Sequence, residues 1–182
     1  MEFEKEYVYT SNDEPIVTEE EQAIIVDWTR NNYKTFQKTG YNRQFQQISY
    51  YDKDYVPACI KDIKQRIVDK EKLHNFQQEP LFEDSIGYMT DGGQLHLHSD
   101  PNPKNSNLIH TRFNVYVQLP LKGGLPIYSD KLCSLKERTY VCCRSGIDKH
   151  YCQKVEGPRE RVIVSFGFLL PYERIQNIKY MY

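Results

Sequence analysis

From residue 85 onward the chain breaks into short runs: SIGYM, QLHLHSD, TRFNVYVQLP, LPIYSD, RTYVCC and RVIVSFGFLL. Gly92-Gly93, Pro101-Asn102-Pro103, Gly123-Gly124, Gly146 and Gly157 separate them. Apolar runs of this length bounded by turn residues are strand-like, and a series of them without helices between excludes an alternating α/β sheet. The first half has another period. Thr18 and Glu21 form a capping box, and Ala23, Ile24, Ile25, Trp28 and Tyr33 follow at helical spacing. This predicts a helix over about 18–37 that stops near Gly40. A second helix starts at Pro57, a favoured first position, and carries Ile60, Ile63 and Ile67 to about residue 74. Residues 41–55 are polar and aromatic with no clean period, and 1–17 read as a flexible acidic lead-in. The expected architecture is α+β, mainly β, with two N-terminal helices packed on a β-sandwich or jelly roll.

Composition narrows the class. Fifteen tyrosines favour strands and half-buried surfaces. The mean hydropathy of -0.72 reflects plentiful Gln, Asn, Lys and Tyr. A net charge of -1 provides no global field towards nucleic acid or an anionic membrane. No apolar run approaches the ~20 residues of a membrane helix. The acidic start, MEFEKEYVYTSNDEP, does not read as a secretory signal or transit peptide, so a cytoplasmic setting with reduced thiols is expected. Five cysteines, an odd number, do not suggest a disulfide framework. Cys133, Cys142, Cys143 and Cys152 lack a C-x2-C knuckle, so they are read as buried thiols and not a zinc site. Neither Gly-Gly pair is followed by Lys-Ser/Thr, which argues against a phosphate loop. Residues 131–161 hold eight Lys/Arg against four acids, either a basic rim around an anion or a solvated charged face.

The sharpest local feature is Gln94-Leu95-His96-Leu97-His98-Ser99-Asp100. On a strand, alternate residues share a face, so Gln94, His96, His98 and Asp100 point one way. His98 and Asp100 suit adjacent positions on one octahedral ion, and a third ligand must come from elsewhere. His150 stands beside turn signals between two strands. Two histidines and one carboxylate leave three positions open on iron, room for a chelating co-substrate and oxygen. His96 is expected to line the cavity or the core, and His74 and His110 to be structural or on the surface.

Tyr88-x3-Gly92-x5-His98-x-Asp100, then Gly123-Gly124, then Gly146-x3-His150-x6-Gly157 resembles the core signature of Fe(II)/2-oxoglutarate-dependent oxygenases, in particular the prolyl-hydroxylase-like branch. The resemblance covers about residues 85–170. It implies a double-stranded β-helix (jelly-roll) core over 80–172, helical support over 18–75, and a single oxygenase domain spanning 1–182. It also implies a dioxygenase in which His98, Asp100 and His150 are the catalytic metal ligands, with Fe(II), 2-oxoglutarate and O2 as cofactor and co-substrates and ascorbate as a candidate auxiliary reductant. The family places a cation for the far carboxylate of 2-oxoglutarate on the strand after the distal histidine. Arg161 lies inside that apolar strand and Arg159 at its mouth, so Arg161 is favoured; Arg159 is alternatively an exposed strand-edge charge. Ser165, Asn114 and Tyr88 are further candidates for co-substrate contacts, as is Arg112, with structural hydrogen bonding the alternative for each. The implied reaction is hydroxylation of a C–H bond, with a protein or peptide side chain as acceptor and no membrane partner. RFNVYVQLP and RVIVSFGFLLP are also loosely similar to aspartyl/asparaginyl β-hydroxylases, a family without the metal Asp that Asp100 supplies. A nucleic-acid acceptor, as in the oxidative demethylases of the superfamily, is the alternative. A non-catalytic jelly-roll or cupin-like binding module is the alternative of another class, and Arg161 separates them because a cupin needs no buried arginine.

Overall fold

The computed structural model describes residues 14–48 and 55–176. Helix α1 spans Glu19–Asn32, and a short 3-10 turn follows over Tyr33–Thr35. Strands β1 (Gln37–Lys38) and β2 (Arg43–Gln47) precede helix α2 (Cys59–Lys70). Then come β3 (Asp84–Met89), β4 (Leu108–Gln118), β5 (Lys122–Gly123), β6 (Pro126–Tyr128) and β7 (Lys131–Leu132). The chain continues through β8 (Thr139–Cys143), β9 (His150–Cys152), β10 (Val155–Glu156), β11 (Arg161–Pro171) and helix α3 (Tyr172–Ile175).

The largest sheet is antiparallel, in the order β1-β2-β3-β11-β4-β8. Two smaller pieces, β7-β6-β9 and β10-β5, accompany it. On one face of the large sheet Ile86, Phe113, Val115, Val164 and Phe166 join Ile25, Ile60, Ile63 and Ile67 of the helices in one buried core. Full burial of side chains of this size contributes about 1.5–3 kcal/mol each. Polar contacts tie the helices to the same face: the Tyr140 hydroxyl donates to Glu71, and Lys64 pairs with Asp84 at 2.7 Å. The opposite face looks towards the smaller strands and carries polar side chains.

The capping box forms as the sequence predicts, with Thr18 and Glu21 satisfying each other's backbone N–H groups. The helices are shorter than their apolar stripes suggest. Helix α1 stops at Asn32, where Tyr33 turns away to stack on Tyr88 at 4.7 Å. Helix α2 begins at Cys59, with Pro57 just outside, and ends before Lys72 in the left-handed region (φ 52°). A third, one-turn helix after β11 was not expected. The expected flexible stretch 1–17 lies largely outside the described residues; within it, Ile16 N and Val17 N donate to Arg138 O. All five cysteines are free, and Cys133, Cys142, Cys143 and Cys152 are buried. Among the described residues no helix is long and apolar enough to cross a membrane.

One strand expectation needs correction. The segment 94–100 is extended but is not a regular strand; a single bridge, His98 to His150, joins it to β9. Backbone bonds from Cys152 N to Leu95 O (3.2 Å) and from Asp100 N to Ser145 O (2.7 Å) flank that bridge. The Gly92-Gly93 turn and the prolines at 101 and 103 leave it too few residues to build a longer ladder.

Candidate metal centre

His98 and His150 face each other because their backbones exchange both bonds: His98 N donates to His150 O (3.1 Å) and His150 N to His98 O (2.8 Å). Their ring centroids are 4.2 Å apart. Asp100, two residues on, brings Oδ1 to 3.6 Å from His98 Nε2. One ligand atom from each of His98, Asp100 and His150 lies within 4.8 Å of the others. The tautomers are set for ligation. His98 Nδ1 lies 2.7 Å from His96 O and His150 Nδ1 lies 2.9 Å from Asp148 O, so each Nδ1 carries the proton and each Nε2 keeps its lone pair. Burial pushes the His150 pKa down, which keeps that ring neutral at pH 7.

The loops behind the triad are clamped. Asn102 Nδ2 donates to Gly146 O (2.8 Å) while its Oδ1 accepts from His110 N (2.9 Å). A Cβ at Gly146 would overlap Asn102 Oδ1, so glycine is required for this approach. His110 Nδ1 lies 3.9 Å from Asp100 Oδ2, and its Nε2 lies 3.4 Å from Glu79.

The triad opens into a cavity of about 430 Å³ between the large sheet and the smaller strands. Arg161 is buried in its wall. Its Nη1 lies 3.6 Å from Met89 Sδ, and its guanidinium carbon is 5.3 Å from the centre of the Tyr116 ring. Its Nε has no hydrogen-bond partner, and among the described residues no carboxylate pairs with it. A buried cation without a counter-charge costs several kcal/mol, so this wall is built to receive an anion.

Ser165 and Asn114 also line the cavity. Ser165 Oγ donates to Asn114 Oδ1 (2.5 Å) and accepts from Arg112 Nε (2.7 Å). Asn114 Nδ2 reaches Tyr128 Oη at 3.3 Å. Two expected co-substrate contacts are elsewhere. Tyr88 sits on the helix side of β3, where its hydroxyl donates to Glu160 Oε1 at 3.2 Å, while Ser85, Gly87 and Met89 of the same strand line the cavity. Arg159 lies in the bend before β11, so the strand's phase does not reach it. It pairs with Glu137 (2.5 Å) and donates to Leu119 O (2.8 Å) outside the cavity. Within the basic stretch 131–161, Arg138 and Arg144 also hold acids, Glu19 and Asp148, so these three arginines do not form a rim around an anion.

Arg112 takes its structural alternative. Two groups escape the sequence reading. The first is Glu79, a buried carboxylate from the loop before β3, which holds Arg112 at 3.4 Å beside Ser85 Oγ at 3.0 Å and Glu83 O at 2.9 Å. Arg43, on β2, also lines the cavity. The signal for it was the phase of RQFQQ, which sets Arg43, Phe45 and Gln47 on one face, but Gln-rich polarity hides the strand.

No protein-family model and no curated protein matches the chain. Solved structures do. The chain is similar to the viral collagen prolyl hydroxylase of Paramecium bursaria Chlorella virus-1, crystallised with 2-oxoglutarate. The TM-score is 0.58 and the identity 12%, over 88% of this chain and 94% of that one. It is similar to a Pseudomonas putida prolyl-4-hydroxylase with a TM-score of 0.54 and 13% identity, over 87% and 90% of the two chains. For HygX of Streptomyces hygroscopicus, solved with nickel and 2-oxoglutarate, the TM-score is 0.58 and the identity 10%, over 85% and 80%. The chain shares the fold of these proteins.

Proposed function

We propose that the chain is an Fe(II)- and 2-oxoglutarate-dependent dioxygenase that hydroxylates a C–H bond, with a protein or peptide side chain as the favoured acceptor. The observation that carries this reading is the pairing, within one cavity, of the His98/Asp100/His150 cluster with the buried, unpaired Arg161. Structural neighbours support it: the viral prolyl hydroxylase and HygX were solved with 2-oxoglutarate, and the Pseudomonas putida neighbour is a prolyl-4-hydroxylase. The sheet order and the smaller strands facing it are read as a double-stranded β-helix.

In this reading the two Nε2 atoms and the Asp100 carboxylate hold iron(II). Bound iron, with dioxygen and 2-oxoglutarate, supplies the oxidising power, yielding succinate, carbon dioxide and a hydroxylated acceptor. The chain's own residues bind and orient. Arg161 presents a planar charged fork to the far carboxylate of 2-oxoglutarate. Tyr116 keeps that fork in place through its ring. Asn114 and Ser165, held to each other and to Arg112, fix the polar wall. Tyr88 and Arg159 have no part in it.

The test is an anaerobic titration with Fe(II) and 2-oxoglutarate, watching for the visible metal-to-ligand charge-transfer band. The band should appear with the native protein, vanish with Asp100→Ala and weaken with Arg161→Ala. A folded protein that gives no band would overturn the reading.

A further inference from the structure

The oxygenase reading accounts for one of two unpaired arginines in the cavity. Arg30, Arg66, Arg112, Arg138, Arg144 and Arg159 each meet a carboxylate. Arg161 does not, and neither does Arg43, whose side chain bonds to Thr39 alone among the described residues: Nη1 donates to Thr39 Oγ1 (2.6 Å) and lies 3.4 Å from Thr39 O. Both unpaired arginines face the same cavity.

Their separation follows from the register. Arg43 and Arg161 both pair with Met89, one from each side, so the three form a row across β2, β3 and β11. Strands spaced about 4.8 Å apart put the two arginine Cα atoms roughly 10 Å from each other, with the Met89 thioether between them. Burial, and then the charge of Arg161, push the Arg43 pKa down, and the opposing pull of Cys152 and Asp100 is smaller. In the next row, Phe45, Gly87 and Ile163 are neighbours. A Cβ at Gly87 would lie 2.9 Å from Ile163 Cγ1, so glycine leaves the floor low beside the Arg43 row.

Charge bookkeeping then separates two roles. Iron(II), Asp100, Arg161 and the 2-oxoglutarate dianion together are neutral. Arg43 is left over, half-buried, and among the described residues no carboxylate pairs with it. We propose that Arg43 and Thr39 form a second anion subsite, which takes a carboxylate carried by the substrate near the C–H bond to be hydroxylated. The inference rests on the oxygenase reading and deepens it: the acceptor is acidic. Arg43 offers the fork, Thr39 holds that fork towards the cavity, and Phe45 supplies an apolar wall beside it.

The test uses the full chain loaded with Zn(II), followed through the arginine Nε–Hε signals by NMR, with Arg43→Lys and Arg161→Lys to assign them. Saturating 2-oxoglutarate should move the Arg161 signal and leave Arg43 in place. A capped peptide containing aspartate, added next, should move Arg43, while the same peptide with asparagine should not. A shift with N-acetylglycine but not with the aspartate peptide would assign the carboxylate to a small free acid. Calorimetry should show Arg43→Gln weakening the responding acid by about 10-fold or more, the worth of a charge-assisted hydrogen bond. Movement of Arg43 by 2-oxoglutarate alone would overturn the proposal, because both arginines would then serve the co-substrate. An Arg43 signal indifferent to every acid would overturn it too. If instead Arg161 ignores 2-oxoglutarate, the oxygenase reading is what fails.

Discussion

Arg112 and Arg161 stand at two ends of one cavity, and their surroundings are opposite. Arg112 lies beside Gly167 and Arg161 begins β11, so roughly 20 Å of strand separates them. Both are nearly inaccessible, at 6% and 3% exposure. Arg112 is saturated by Glu79, Ser85, Ser165 and a backbone carbonyl. Arg161 has a thioether and an aromatic ring. A buried charge with all its partners in the fold belongs to the fold. A buried charge without them belongs to a ligand. Burial alone would have marked both alike.

The largest expected effect tests the saturated end. Arg112→Met leaves the Glu79 carboxylate buried without its cation and should destabilise the protein by about 3–5 kcal/mol in urea unfolding. Arg161→Met should leave stability unchanged or raise it by about 1–4 kcal/mol, because it removes a buried charge that the fold does not compensate. Equal losses in the two variants would break the comparison. Next in size, Arg161→Met should weaken 2-oxoglutarate binding by about 10- to 100-fold, read from the charge-transfer titration.

A double-mutant cycle sharpens the contrast. Glu79→Gln combined with Arg112→Met should recover about 1–3 kcal/mol relative to the sum of the single changes, since the pair is in direct contact. The smallest effect is on pH. Burial, and then Arg112, push the His110 pKa down, and burial lowers that of His150. The unfolded chain therefore takes up protons below about pH 6.5 while the folded one does not yet. Stability of the metal-free protein should fall as the pH drops below that point, seen as a lower urea midpoint at pH 5.5 than at pH 7.5.

The sequence made the cavity's centre legible and its edges illegible, for physical reasons. His98 and Asp100 are two residues apart in an extended segment, and the phase of β11 puts Arg161, Ile163 and Ser165 on one face, so these could be read in advance. Strand β3 gives no such phase: Ser85, Ile86, Tyr88 and Met89 are all buried, so polarity does not reveal which face holds Tyr88. Arg159 takes its other reading, a charge at the strand's edge, because the bend after Gly157 interrupts the alternation that Arg161 resumes. Strand β2 owes its existence to pairing with β3, and β1 to pairing with β2, and not to local propensity; RQFQQ has one aromatic and no β-branched residue. The Glu79–Arg112 contact joins a loop to a distant strand, which no local pattern encodes.

The thin attachment of the His98 segment has a consequence for the protein's lifetime. One two-way backbone pair and a single bond from Cys152 N to Leu95 O tie it to β9, and the stretch from Ser99 to Asn107 has no ladder of its own. A metal ion held by His98, Asp100 and His150 adds a side-chain stitch across that seam. Metal occupancy and resistance to proteases at this stretch should therefore rise and fall together, so that the metal-free chain is cut here before its core has begun to loosen.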